Sequence, residues 1–309
     1  MRGNLLYTVI PCYNEEEALP ETARQLALKY GQLLSSGMIG EGSRIVFVND
    51  GSKDRTWELI CALHRENPLF SGICLSRNRG HQNALLAGLM TVRDRADMVI
   101  SMDADLQDDI GAMDEMIAKY QSGCDVVYGV RSSRKKDRFF KRFTAEAFYR
   151  LMSRRALDGL AKFEEVNLFL RGIVPMVGYP SDIVLYERGE RTAGESKYPL
   201  KKMVSFALEG VTSLSTKPLR MITLLGFLIF LISLILLAVF IVQFFIGMTV
   251  PGWASVIVSL WGIGGLLMLA IGIVGEYIGK IYLETKKRPR FLIADFLEEE
   301  KDGGRDRDA

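Results

Sequence analysis

Two carboxylates and an amide stand at alternate positions in Asp103-Ala104-Asp105-Leu106-Gln107, directly after the apolar run Met98–Met102. In an extended segment alternate side chains share one side, so Asp103, Asp105 and Gln107 would aim together. Oxygen donors in that arrangement suit a hard divalent cation, Mg²⁺ or Mn²⁺. The competing role is an acidic turn that caps the next helix. Only two histidines, His64 and His81, occur in the chain, which speaks against a histidine-rich transition-metal site. A second carboxylate turn, Asn49-Asp50-Gly51-Ser52, is an ordinary helix-capping loop taken alone. Beside an acidic metal site, Asp50 becomes a group that could hold a base or ribose. In Pro11-Cys12-Tyr13-Asn14-Glu15, Pro11 fixes a loop, Tyr13 offers a stacking face and Glu15 falls in the first turn of a helix.

These polar strings need a scaffold, and the first 130 or so residues supply one. Short β-rich runs alternate with longer helical patterns, the signature of parallel βαβ units under helical cover. The expected strands are Leu5–Pro11, Arg44–Asn49, Gly72–Ser76, Met98–Met102 and Val126–Tyr128. The expected helices are Glu15–Leu34, Arg55–Asn67, His81–Val92 and Ile110–Gln121. Such sheets bind ligands beyond the carboxyl ends of their strands, where all three polar strings fall. After Tyr128, the segment Arg138–Arg155 reads as a basic helix with Phe139, Phe140, Phe143, Ala147 and Leu151 at helical spacing. It either packs on the domain or lies on anionic lipid.

From Met221 to Gly275 there is no Asp, Glu, Lys or Arg, although a quarter of the whole chain is charged. Pro251 and Gly252 divide this block. As helix, Met221–Ile246 would span about 39 Å and Ser255–Gly275 about 31 Å, enough to cross a hydrocarbon core of about 30 Å. Lys and Arg flank the outer ends of the pair and none lies in the turn, so both termini are expected in the cytoplasm. The expected organisation is a catalytic domain over 1–199, an interfacial helix over 200–220, spans at 221–246 and 255–275, and a tail over 276–309. A net charge of +2 does not point to nucleic acid. Four scattered cysteines without a Cys-x-x-Cys pair indicate neither a zinc site nor a disulfide framework.

Taken together the strings resemble the family 2 glycosyltransferases of the GT-A fold, and within them the polyprenyl-phosphate glycosyltransferases. The resemblance rests on Val9–Glu16, Val48-Asn49-Asp50-Gly51-Ser52-Lys53-Asp54, Leu75-Ser76-Arg77-Asn78, Asp103–Asp108 and Glu190–Pro199, and it runs from about Leu5 to about Pro289. It implies an α/β fold with a GT-A-type, mostly parallel sheet and helices on both faces, followed by interfacial helices and two transmembrane helices. It implies that Pro11, Tyr13, Glu15 and Asp50 hold the nucleoside, and that Asp103, Asp105 and Gln107 bind a metal and the donor diphosphate. Arg131 and Arg134 would meet the acceptor phosphate, while Arg191, Ser196 and Lys197 would close over the phosphates. The implied partners are a nucleotide-sugar donor, a polyprenyl-phosphate acceptor and the membrane; self-association is left open. Two departures stand out. Relatives carry Gly-Asp-Phe-Arg-Leu and a following helix before the string seen here as Phe169-Leu170-Arg171-Gly172, and this strand-plus-helix piece is expected to be missing. Relatives also commonly have two prolines where this chain has Asp109-Ile110-Gly111. The alternative to an enzyme is a catalytically silent membrane-bound relative acting as a binding or scaffold protein.

Overall fold

The computed structural model describes residues 3–131, 149–165, 170–187 and 252–297, together with 221–222, 224–229, 231–232, 235, 242 and 245–246. Among the described residues the strands are β1 (Leu6–Cys12), β2 (Arg44–Asn49), β3 (Phe70–Leu75), β4 (Met98–Ser101), β5 (Val126–Arg131), β6 (Arg150–Ser153), β7 (Ser181–Tyr186) and β8 (Ile293–Leu297). The helices are α1 (Leu19–Ser35), α2 (Thr56–Glu66), α3 (His81–Val92), α4 (Ala112–Gln121), α5 (Arg154–Ala161), α6 (Leu170–Met176) and, as labelled here, α7 (Trp253–Lys286). The chain divides into two compact units. One comprises Met1–Glu164, Leu168–Lys197 and Pro289–Ala309; the other comprises Glu165–Asn167 and Tyr198–Arg288.

The first unit is built on one eight-stranded sheet in the order β7-β5-β6-β4-β1-β2-β3-β8. Its centre is parallel: β1 pairs with β2 and β4, and β2 with β3. Apolar residues on both faces of these strands feed two separate cores. Leu6, Ile10, Phe47 and Ile100 meet α1 and α4 on one side, while Val9, Val46, Val48 and Val99 meet α3 and α5 on the other. That two-sided burial explains why β2 reads Ile-Val-Phe-Val without polar alternation. Strand order reverses at β1, between β4 and β2, so a crevice opens beyond the carboxyl ends of β1 and β4.

The sequence expectation for Arg138–Arg155 fails at its far end. Residues 132–148 lie outside the described set, but Arg150–Ser153 form β6, antiparallel to both β4 and β5. The helix begins only at Arg154, where the Ser153 hydroxyl accepts the Ala156 N–H at 3.1 Å. Spacing that suited a helix was overruled by two neighbouring strands with open edges. β6 and α5 thus place a strand and a short helix ahead of Phe169-Leu170-Arg171-Gly172, where no such piece was expected.

At the opposite edge, Ile293–Leu297 add to β3 as antiparallel β8, a strand that the sequence reading placed in a tail. Leu292 O accepts the Ser76 N–H at 2.9 Å, and the Arg95 guanidinium lies 4.7 Å over the Phe296 ring. Ending the chain at Arg290 would strip this cover from Ile73 and Leu75, now 0% and 2% exposed. The expected loss is about 3 kcal/mol, roughly 10 °C in melting temperature, read by thermal unfolding against the full chain.

The second unit carries α7, which runs eleven residues beyond the expected span end at Gly275, as far as Lys286. Its stretch Gly262–Lys286, 25 residues with mean hydropathy 1.7 and none of its window buried, is long and apolar enough to cross a membrane. It is the one such helix among the described residues. Of the first expected span, 221–246, residues 221–222, 224–229, 231–232, 235, 242 and 245 are described and helical, while the interfacial helix at 200–220 lies outside the described residues.

Candidate active site

The loops after β1 and β2 are stitched into one surface by their side chains. Asn14, at φ 54°, donates its N–H to Ser52 Oγ and accepts the Lys53 N–H on its Oδ1 at 2.9 Å. Thr56 Oγ1 accepts the Glu15 N–H at 2.9 Å, while Glu16 Oε2 accepts the Arg55 N–H. This leaves Tyr13 42% exposed and Glu15 half-buried at the mouth, whereas Pro11 is buried beneath it.

Asp50, expected to hold the nucleoside, lies below the surface. It is 2% exposed, and its two oxygens accept the backbone N–H groups of Arg79 and Gly80 at 2.6 and 2.8 Å. Burial pushes its carboxyl above the usual range, and those two N–H groups work in the other direction. Asp50 thus holds the loop between β3 and α3 against the site. That loop delivers His81, the first residue of α3, whose Nε2 lies 3.4 Å from Asp103 Oδ1.

The acidic string is a turn and not the extended segment expected of it. β4 stops at Ser101, Ala104 and Asp105 turn, and Leu106 has φ 55°. A bulky residue there costs about 1–2 kcal/mol, so its surroundings must enforce it. Thr22 Oγ1 from α1 donates to Ala104 O at 2.7 Å, and Asp105 Oδ1 accepts the Gln107 N–H at 3.2 Å. Asp103 and Asp105 stay half-buried, but Gln107 is only 5% exposed and Asp108 equally so. Strict alternation therefore does not place the three expected ligands on one face.

Among the described residues no three His, Cys, Asp or Glu side chains are grouped as a ready metal cage. Two half-exposed carboxylates two residues apart nonetheless fit a cation of the Mg²⁺ class. Such an ion is commonly held by one or two carboxylates and completes its shell with water and substrate phosphate oxygens. Arg131 closes β5 at the same edge of the sheet, its backbone described and its side chain not. Arg134, Arg191, Ser196 and Lys197 lie outside the described residues. Sequence reasoning missed Arg79 and His81, although the basic run Arg77-Asn78-Arg79-Gly80-His81 between a strand and a helix start was a signal.

The model of glycosyl transferase family 2 matches residues 7–174. An uncharacterized glycosyltransferase of Bacillus subtilis, YkoT, is 50% identical over 306 residues, covering 94% of this chain and 91% of that relative. The bactoprenol glucosyl transferase of Shigella phage SfX is 42% identical over 308 residues, covering 92% of this chain and 97% of its own. Among solved structures, the mannosyltransferase of Pyrobaculum calidifontis in complex with GDP-Man and Mn²⁺ aligns at 16% identity and a TM-score of 0.44. That alignment covers 63% of this chain and 59% of that structure, so the chain spans about three fifths of its length.

Proposed function

The chain belongs to glycosyl transferase family 2, and on that footing we propose that it moves a hexose from a nucleotide-diphosphate sugar, UDP-glucose in the first instance, to a polyprenyl phosphate. The similarity to bactoprenol glucosyl transferases over nearly the whole chain supports that acceptor class. The observation that carries the reading is the Asp103–Asp105 turn at the carboxyl end of β4, beside the loop that Asp50 fixes.

In this proposal Asp103 and Asp105 hold Mg²⁺ or Mn²⁺, which when bound offsets the charge on the departing diphosphate. Tyr13 and Glu15 border the nucleoside. An oxygen of the lipid phosphate forms a bond to the anomeric carbon as the bond from that carbon to the diphosphate breaks on the opposite side. The configuration is inverted and the nucleoside diphosphate leaves. A phosphate monoester has a second pKa of about 6, so the acceptor is mostly a dianion at neutral pH and needs little help from a base. The Gly-Asp-Phe-Arg-Leu string that this chain lacks is then dispensable, and positioning with charge neutralisation dominates the rate. Arg131, Arg134, Arg191, Ser196 and Lys197 are proposed to meet the acceptor and donor phosphates, since guanidinium forks match phosphate oxygens. Residues 221–246 and α7 are proposed to form a transmembrane hairpin that holds the catalytic unit at the cytoplasmic face.

The test is purified protein in detergent with Mn²⁺ or Mg²⁺, a polyprenyl phosphate and a panel of UDP- and GDP-sugars, read by mass spectrometry of the lipid. A metal-dependent glycosylated lipid is expected, with UDP-glucose the best donor. No product with any donor would overturn the proposal.

A further inference from the structure

The acidic turn leaves through Asp109-Ile110-Gly111, with no proline to stiffen its exit. Something else must hold a turn that contains Leu106 at φ 55°. Two tyrosine hydroxyls reach it from different strands. Tyr186, the last residue of β7, donates to Asp108 Oδ1, and Tyr149, immediately before β6, donates to the Asp109 carbonyl at 2.9 Å. Asp108 is 5% exposed, so a donor aimed at its carboxylate offsets a large desolvation cost. The two rings meet edge to face at 5.4 Å and 89°, which fixes each hydroxyl relative to the other.

The seat of this pair is specific to it. A Cβ on Gly129 of β5 would fall 2.6 Å from Tyr149 Cδ1, so only glycine leaves room for the ring. The Gly129 N–H also donates to Tyr149 O at 3.0 Å, fixing the backbone behind the ring. Burial pushes the Tyr149 hydroxyl well above its ordinary range, with Asp108 and Asp109 adding to the effect, so it remains a proton donor at working pH.

We propose that Tyr149 and Tyr186 are positioning residues that clamp Asp108 and Asp109 and thereby set the spacing of Asp103 and Asp105 for a divalent cation. The clamp does in this chain what covalent ring constraint would do at a proline pair. It rests on the reading of Asp103 and Asp105 as metal ligands, and it adds two residues that touch neither metal nor substrate. Each hydroxyl holds one of two consecutive residues, so loss of both should loosen the turn more than the sum of the single losses.

The experiment is a titration of the full-length protein with Mn²⁺ in the presence of UDP, followed by electron paramagnetic resonance, for the wild type, Tyr149→Phe, Tyr186→Phe and the double variant. Tyr120→Phe is the control. The Tyr120 hydroxyl donates to Gly3 O and Asp97 O at 3.2 and 3.3 Å, in a buried setting away from the acidic turn, so its loss reports a buried hydrogen bond without the clamp. The double variant is expected to weaken Mn²⁺ binding about tenfold or more, consistent with losing hydrogen bonds that include one to a charged group. Each single variant should weaken it less, and Tyr120→Phe should leave it unchanged. In turnover the KM for the nucleotide sugar should rise while the KM for the lipid phosphate does not. Wild-type affinity in the double variant, or equal weakening in Tyr120→Phe, overturns the clamp. A wild-type protein that binds no Mn²⁺ overturns the metal reading itself, and the clamp falls with it.

Discussion

Replacing both Asp103 and Asp105 by Asn is expected to lower the initial rate of lipid glycosylation about a thousandfold at saturating Mn²⁺, with no loss of thermal stability. The size follows from removing preorganised charge stabilisation from a transition state in which a diphosphate is leaving. Stability should hold because both side chains are half-exposed and the turn is fixed by other groups, namely Thr22 Oγ1 on Ala104 O and the hydroxyls on Asp108 and Asp109. Asn keeps the oxygen that accepts the Gln107 N–H, so the local fold survives the change. The decisive comparison is rate against melting temperature in one preparation. A double variant with more than about a tenth of wild-type rate would show that the carboxylates do not carry the reaction.

Gly51→Ala is expected to act through structure, costing about 3 kcal/mol and weakening donor binding at the same time. Gly51 has φ 64°, and a Cβ built there would lie 2.6 Å from Asn78 N and 2.8 Å from Arg77 C. Both are backbone atoms, so no rotamer change relieves the collision. The neighbouring loop must move, and with it the Arg79 and Gly80 N–H groups that Asp50 accepts. A carboxylate at 2% exposure left without those donors bears its full desolvation cost. Urea unfolding should show the lower stability, and titration with UDP should show the weaker binding. If stability fell while UDP affinity stayed at the wild-type level, Asp50 and its loop would have no part in the donor site.

Most of the scaffold that holds this site was legible in the chain because its signals are local. Arg44–Asn49 and His81–Val92 begin and end where the residues say they should. An apolar run closed by Asn-Asp-Gly, or a helix opened after Arg-Gly, needs no distant partner to be recognised. Asp103 and Asp105 stood out as candidate hard-cation ligands for the same reason, since residue type and spacing are contained in five residues. Gln107 was misjudged because alternation holds only in extended backbone, and the chain turns at Ala104.

By itself, then, the sequence determined the parallel α/β core, the apolar block whose α7 could cross a membrane, and the polar strings at the strand ends. Hydrophobic period, charge exclusion and turn residues act over a few positions, and folding preserves them. The tertiary structure alone decided that Arg150–Ser153 would be a strand, because four residues carry no period of their own and the choice was made by the edges of β4 and β5. It decided that Ile293–Leu297 would close the sheet on β3, more than 200 residues away in the chain. It also buried Asp50 against the Arg79 and Gly80 N–H groups, and joined Tyr149 and Tyr186 to the acidic turn. Those roles depend on which donors surround a group once water is excluded, and no local run of residues specifies its distant neighbours.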